Sequence, residues 1–184
     1  PSLVEIEKAL GKSVYTCGLE GISERLRRFL NKNLDDAQVR KSMEVLVASS
    51  VREIKVFLIA TGREDGADFD EWEKLLHWIQ ALRTPQGKQV RCVFSITPLV
   101  RFPHTPLEFE PVPEREAMRD IIKKIIGITS KAGFECRQAA SVDEAMFSDQ
   151  LLRADRSEIL DALEESVFEA GFVYERDIPE SVWR

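Results

Sequence analysis

The chain has 184 residues, of which 43% are hydrophobic, and its formal net charge is −6. This length allows one good hydrophobic core and favours a single globular domain by default. No apolar run approaches the roughly 20 residues that a membrane span needs, and residues 1–11 have the pattern of an amphipathic helix rather than a signal peptide. We therefore expect a soluble cytoplasmic protein.

The acidic balance disfavours general binding to nucleic acid, because a negative protein repels the phosphate backbone. A local basic segment within residues 25–32 could still contact RNA. The alternative is the solvated side of a helix, since apolar residues fall on the opposite stripe. The basic residues are Arg25, Arg27, Arg28 and Lys32.

The three cysteines and two histidines are scattered. Cys17, Cys92 and Cys136 each lie in a β-like segment, and their spacing matches neither a disulfide framework nor a pair of metal ligands. His77 and His104 have no second ligand at a useful spacing. The sequence therefore predicts no metal site built from this chain alone.

Start and stop signals divide the first part of the chain into a helix, a strand and a second helix. Ser2 and Glu5 form a capping-box pattern before a short helix that ends at Gly11. Residues 13–19 are β-prone, and residues 22–32 carry a helical apolar stripe. This order predicts a strand, a loop and a helix.

The same alternation continues through the middle of the chain. Residues 53–60 predict a strand that is buried on both faces, and residues 89–96 predict the next strand. A capped helix precedes each of them, and the second helix stops at Pro85. The capping pairs are Asp35 with Gln38 and Asp68 with Glu71.

Helical patterns dominate the last third. Pro113 suits the first turn of an amphipathic helix that ends at Gly133, and residues 134–137 predict a short strand. Two more capped helices follow before a tail without a clear pattern. Their caps are Ser141 with Glu144 and Asp155 with Glu158.

Strands separated by crossover helices predict an α/β fold with a parallel sheet of three to four strands. Ligands of such sheets bind at the carboxyl ends of the strands, which fall at residues 18–23, 60–65 and 96–105. Neither G-x-G-x-x-G nor a Walker lysine follows a strand, so the usual phosphate cradles are excluded.

Three strand ends resemble successive landmarks of one enzyme family. The segment 14–27 (VYTCGLEGISERLR) joins a strand ending in Glu20 to a glycine, a small hydroxyl residue and a Leu-Arg helix. The segment 56–65 (VFLIATGRED) has a strand and a turn, with Ala60 and Gly62 departing from the family pattern Gly-Leu-Pro. The segment 93–107 (VFSITPLVRFPHTPL) ends in a proline-histidine-threonine-proline loop.

These motifs resemble the radical S-adenosylmethionine enzymes, especially their cobalamin-associated and methylthiotransferase-like branches. The resemblance covers most of residues 13–160, including Arg153 to Arg156 near its end. It implies that residues 1–132 form part of a (β/α) barrel and that residues 133–184 form a C-terminal helical extension packed on it.

The family holds a [4Fe–4S] cluster with three cysteines spaced C-x3-C-x2-C, a spacing that this chain does not contain. The resemblance therefore implies that the chain is a fragment whose partner is the N-terminal half of the same protein. The parent protein would use S-adenosylmethionine and the cluster, with cobalamin left open. We expect neither group bound to this chain alone, which we expect to be inactive alone.

The resemblance places five residues on the cofactor side and two on the substrate side. Glu20 would accept hydrogen bonds from ribose hydroxyls or an ammonium group, and Thr97 would present its backbone to the adenine ring. Each residue also has a structural alternative, such as helix capping, exposure to water or an ordinary turn or loop anchor. The cofactor-side residues are Glu20, Ser23, Arg25, Glu64 and Thr97, and the substrate-side residues are His104 and Thr105.

Two other kinds of function stay open at this point. A noncatalytic α/β domain could bind a protein partner through its proline loop or acidic surface, and a complete small-ligand enzyme could use a pocket at the sheet edge. A parallel sheet cut out of a barrel would also leave the strand at residues 13–19 with an open edge. We therefore expect a homodimer or larger oligomer.

Overall fold

The computed structural model describes residues 3–153 and 158–169, and it contains a four-stranded parallel sheet in the order β1-β2-β3-β4. The predicted α/β fold with a parallel sheet of three to four strands is confirmed. The strands are β1 (Val14–Glu20), β2 (Glu53–Ala60), β3 (Arg91–Pro98) and β4 (Glu135–Gln138).

Helices connect all successive strands, and further helices begin and end the described chain. The helices are α1 (Leu3–Ala9), α2 (Glu24–Phe29), α3 (Asp36–Ala48), α4 (Gly66–Ala81), α5 (Arg115–Lys131), α6 (Val142–Arg153) and α7 (Glu158–Glu169). None of the helices in residues 3–153 and 158–169 has the length and apolar character that crossing a bilayer requires.

The chain divides into two compact units. The first comprises residues 1–99 and 111–145 and contains the whole sheet, and the second comprises residues 100–110 and 146–184. The boundary expected at residue 132 falls inside the first unit, just before β4. The loop at residues 100–110 thus groups with the C-terminal helices rather than with the sheet.

One face of the sheet forms the core of the first unit. Side chains alternate along β2, where Ile54, Val56 and Leu58 are buried and Lys55 and Phe57 are exposed. Right-handed connections between strands in sequential order place the linking helices on the same face, and the buried set marks that face. The prediction that this strand is buried on both faces is therefore wrong.

Aromatic side chains fill the centre of this core. Trp72 of α4 lies edge-to-face against Phe94 of β3 at 5.3 Å between ring centroids, and Phe94 meets Phe134 in the same way at 5.6 Å. The Trp72 indole donates to Thr129 Oγ1 at 3.0 Å. The indole nitrogen of the buried Trp72 thus has a hydrogen-bond partner, as burial of a tryptophan requires.

The opposite face is open and carries charged side chains near its amino edge. Arg91 bridges Glu53 and Glu135 with distances of 2.7 Å on each side, so ion pairs run across three strands. Farther along β2, Phe57 is 43% exposed. We expected Val56, Leu58 and Val93 or their alternates on this face.

Only part of that expectation is correct. Val56 and Leu58 point to the helix-covered face and are 3% and 1% exposed, so the alternate residues of β2 occupy the open face. Val93 does belong to the open-face row, between Lys55 and Glu135 in the register, but it is only 7% exposed. The longer side chains of its two neighbours flank it.

Helix starts follow the predicted chemistry with two shifts. The capping box of α4 pairs Asp65 with Asp68, one turn before the predicted pair of Asp68 and Glu71, because Asp65 already accepts from the first free N–H groups. Glu114 is the N-cap of α5, so Pro113 lies just outside the helix instead of in its first turn. The Asp35–Gln38 and Ser141–Glu144 pairs are confirmed.

A buried ion pair organises the second unit. The Arg101 guanidinium binds both carboxylate oxygens of Asp149, with Nε at 2.9 Å from Oδ1, and the Arg101 backbone N–H donates to the same oxygen at 2.8 Å. Their side chains are 10% and 6% exposed. This contact fastens the loop at residues 100–110 to the later helical segment.

Candidate functional site

The residues predicted to face a cofactor lie at or just beyond one edge of the sheet. All four strands are parallel, so their carboxyl ends share this edge. Glu20 ends β1, Thr97 is the penultimate residue of β3, and Glu64 follows β2. Ser23 and Arg25 belong to the start of α2.

Glu20 has an unusual backbone conformation. A bulge shifts the register between Gly18 and Glu20, and Glu20 adopts φ +68°, which is uncommon outside glycine. The carboxylate lies against Gly18, since a Cβ on that residue would be 2.4 Å from Glu20 Oε1. The Lys32 ammonium lies 3.6 Å from the same oxygen.

Ser23 and Arg25 both converge on Asp68 of α4. Ser23 caps α2 by accepting from the Leu26 N–H at 3.2 Å, and its hydroxyl donates to Asp68 Oδ1 at 2.6 Å. Arg25 donates through both Nε and a terminal nitrogen to the two Asp68 oxygens. These contacts give both predicted residues a structural role in joining the loop after β1 to α4.

The Asp68 carboxylate is held in its charged form. Burial alone would raise its pKa, but hydrogen bonds from Arg25 and Ser23 and from the Asp65 N–H outweigh burial and lower the pKa below the usual 3.8. The Asp68 side chain is 3% exposed, whereas that of Arg25 is 52% exposed. This carboxylate is therefore a fixed anion at the start of α4.

Glu64 occupies a tight turn after β2. Its Oε1 accepts from the Thr61 N–H at 2.7 Å and the Thr61 hydroxyl at 3.0 Å. Its Oε2 is buried and has no hydrogen-bond partner among the described residues. The structure thus leaves one carboxylate oxygen here for another donor, because a buried acceptor without a partner is costly.

Gly62 fixes the geometry of this turn. It adopts φ +80°, a conformation that favours glycine. A Cβ at this position would lie 2.1 Å from Pro113 Cγ. The turn therefore packs against the segment before α5, and only glycine satisfies both requirements.

The remaining predicted residues make local contacts. The Thr97 hydroxyl makes only a long contact of 3.4 Å to the Pro98 carbonyl. His104 and Thr105 belong to the second unit, where the His104 N–H donates to Glu108 Oε2 at 3.0 Å and the Thr105 hydroxyl donates to the Phe102 carbonyl at 2.7 Å. Both residues are exposed.

For Arg27, both the RNA contact and the solvated helix side are wrong. Its side chain is fully buried and donates to the Leu34 carbonyl at 2.8 Å and to Asp36. The Glu71 carboxylate lies 3.9 Å from the Arg27 guanidinium. Burial raises the pKa of Glu71, and the negative charges of Asp36 and Glu24 raise it further. The Glu24 backbone N–H and the Arg27 charge lower it, but their effect is smaller. The partners come from separate elements, so no local sequence signal identifies this cluster.

Asp68 was also missed as a member of the site. The sequence predicts only that Asp68 caps the N-terminus of a helix. Its attraction for Arg25 depends on the distance between the first turns of α2 and α4, which are far apart in the chain. A pairing across strand ends is not visible in a single sequence.

The described residues do not fit an iron–sulfur cluster. Within residues 3–153 and 158–169, no group of three or more cysteine, histidine or acidic side chains could hold a metal ion. Burial raises the pKa of the Cys17 thiol, raises that of Cys92 to about 12 and raises that of Cys136 to about 11. Thiols held in this form are poor metal ligands.

The late acidic-basic motif at Arg153 to Arg156 and the cap at Asp155 extend outside the described residues. Comparisons of the chain with protein families, with curated proteins and with solved structures found no significant match.

Proposed function

We propose that this chain supplies the cofactor-orienting strand ends of a radical S-adenosylmethionine enzyme. The observation that carries the proposal is the Glu20 carboxylate, which lies beside Gly18 at the carboxyl edge of a sheet whose parallel strands follow in sequential order. Sequential parallel strands with helical connections are the repeating unit of a (β/α) barrel, whose ligands bind at that edge.

Glu20 is suited to bind a polar cofactor group. Its carboxylate is 27% exposed, and its ion pair with Lys32 is long at 3.6 Å, so another donor can replace or join the ammonium group. Ribose hydroxyls and the methionyl ammonium of S-adenosylmethionine are such donors. Glu64 offers one oxygen without a partner but uses the other to hold its own turn.

The cluster ligands belong to another part of the proposed enzyme. S-adenosylmethionine bound to a reduced [4Fe–4S] cluster supplies the radical that reacts with substrate. The residues of this chain would bind and orient the cofactor, while the N-terminal half of the same protein would hold the cluster. The substrate and any use of cobalamin are left open.

The first test is genetic and spectroscopic. We expect the coding region immediately upstream to contain C-x3-C-x2-C in frame. We also expect the isolated chain to remain colourless after anaerobic reconstitution with iron and sulfide, because its cysteines do not converge. An upstream region without this spacing, or stoichiometric iron with charge-transfer absorption in the isolated chain, would contradict the proposal.

The second test compares two carboxylates in the complete enzyme. We expect Glu20→Ala to weaken S-adenosylmethionine binding by roughly tenfold, since a charged hydrogen bond contributes about 1.5 kcal/mol or more. Glu64→Ala should have a smaller effect because part of that carboxylate serves the turn. Glu73→Ala, an exposed change on α4, is the control. An equal loss of affinity in Glu20→Ala and Glu64→Ala would contradict a specific role of Glu20 in cofactor binding.

A specific feature of the second unit favours one other function, the binding of a protein partner. Phe102 and Phe109, which flank the proline-rich loop, are 55% and 84% exposed. Exposed aromatic side chains are typical anchors of protein interfaces. This role is tested by cross-linking the complete enzyme to its protein partner, with the Phe109→Ala variant for comparison. The substitution should abolish the cross-linked complex without changing cofactor binding.

A further inference from the structure

An apolar cavity lies in the first unit, on the helix-covered side of the sheet. Its volume is about 180 Å³. The floor is formed by β1, β2 and β3, and the roof by α3 and α4. The lining residues that the argument uses are Cys17, Val39, Ser42, Val56, Leu75 and Phe94.

The lining combines buried and more exposed residues. Val39, Val56, Leu75 and Phe94 are between 0% and 5% exposed and form its buried part. Ser42 is exposed on α3, and Leu34, before α3, is half-buried. We take the side of the cavity near these two residues as its mouth.

We propose that this cavity is a binding site for a small uncharged apolar molecule, of the class of a single aromatic ring or a short branched hydrocarbon. An enclosed cavity of about 150 Å³ lined by apolar side chains takes up benzene, so the volume of about 180 Å³ here is large enough for one aromatic ring. Among its lining side chains only Cys17 and Ser42 are polar, so it contains no charged partner for an ionic ligand.

Cys17 gives a direct measurement of occupancy. It is half-buried and lines the cavity, and burial raises its pKa, so its alkylation is slow and a molecule bound in the cavity should slow it further. Cys136, also half-buried, does not line the cavity and is an internal control in the same molecule. Peptide mapping after alkylation measures the two rates separately.

The experiment uses the whole chain with benzene as the probe and benzoate as its charged counterpart. At a benzene concentration about ten times its dissociation constant, alkylation of Cys17 should slow about tenfold because only the unoccupied fraction reacts, and the melting temperature should rise. Cys136 should alkylate at an unchanged rate. Benzoate should have no effect, because the cavity would bury its charge without a partner.

Variants of α3 complete the test. Val39→Phe should fill the cavity and remove the effects of benzene, whereas Val45→Phe, on the exposed side of the same helix, should preserve them. Ser42→Trp should obstruct the mouth without altering the core. An alkylation rate and melting temperature that benzene leaves unchanged would overturn the proposal, as would equal benzene effects in the two phenylalanine variants. The outcome is independent of whether Glu20 binds S-adenosylmethionine.

Discussion

Asp68 shows how one carboxylate serves two elements at the residue scale. Its oxygens receive the Ser23 hydroxyl, the Arg25 guanidinium and the Asp65 N–H, so it secures both the loop after β1 and the capping box of α4. The lowered pKa means that the folded protein stabilises the ionised form of Asp68. Folding stability and protonation of this residue are therefore linked.

We expect Asp68→Asn to lower the free energy of unfolding at pH 7 by about 2 kcal/mol, the range for hydrogen bonds to a charged group. A larger loss is not expected, because Arg25 is 52% exposed and water can solvate it when the carboxylate is removed. Urea denaturation of the variant and of Asp70→Asn, an exposed change on the same helix, measures the difference.

The pH dependence of that difference has a definite sign. A lowered folded-state pKa stabilises the protein fully above the unfolded value, near 3.8, and the stabilisation disappears as the pH falls through the folded value. The gap between wild type and Asp68→Asn should therefore shrink at about pH 2.5. A gap of the same size at both pH values would contradict the assignment of Asp68 as a fixed anion.

Single residues also show what the sequence can and cannot predict about the site. Glu20 was placed at a strand end from its neighbours, but its positive φ depends on a bulge against β2. Arg27 looks like a surface cation, and only Asp36 and Glu71 from other elements make its burial possible. Local patterns identify chemical groups, whereas partners from distant segments decide their environment.

At the scale of elements, the strongest local signals gave the most accurate bounds. The run at residues 53–60 was predicted at its observed limits, because a stretch rich in β-branched and large apolar residues has few alternatives. The start of α4 was displaced by one turn since Asp65, Asp68 and Glu71 repeat the same capping spacing. Competing caps of equal chemistry cannot be ranked from sequence.

The Arg101–Asp149 pair provides the prediction for the second unit. Asp149→Asn leaves a buried guanidinium without its counterion, and such losses cost about 3 kcal/mol or more. We expect faster hydrogen exchange in the loop at residues 100–110, which is fastened by this pair. The control is Asp143→Asn, whose 42% exposed carboxylate pairs with Arg115 and Arg119, both partly exposed, and it should cost less than the loss of the buried pair. Similar exchange in both variants would count against the role of the pair.

At the scale of the whole molecule, one edge of the sheet can accept a further partner. β1 is an edge strand in the described sheet, and the hydroxyl of its Tyr15 donates to the Val4 carbonyl of α1 at 3.3 Å. Exposed strand edges and apolar positions on an open face favour association. α1 of the same chain could cover this edge instead of a second chain.

We expect the isolated chain to form a homodimer or larger oligomer at micromolar concentration, with a mass above the 21.0 kDa of one chain in light scattering. Phe57→Lys should weaken association through the open sheet face, since it introduces a charge at a 43% exposed apolar site. Val45→Lys changes a 41% exposed residue on α3 and should not weaken it. A strict monomer with residues 14–17 protected from hydrogen exchange would mean that the chain covers its own edge.

The strand order has a consequence for the way the sheet forms during synthesis. β2 pairs with β1, β3 with β2 and β4 with β3, so each new strand needs only a partner that has already left the ribosome. No early strand has to wait for a distant segment, which shortens the loops closed at each step and lowers the contact order. The sheet can therefore grow vectorially, one helix and one strand at a time.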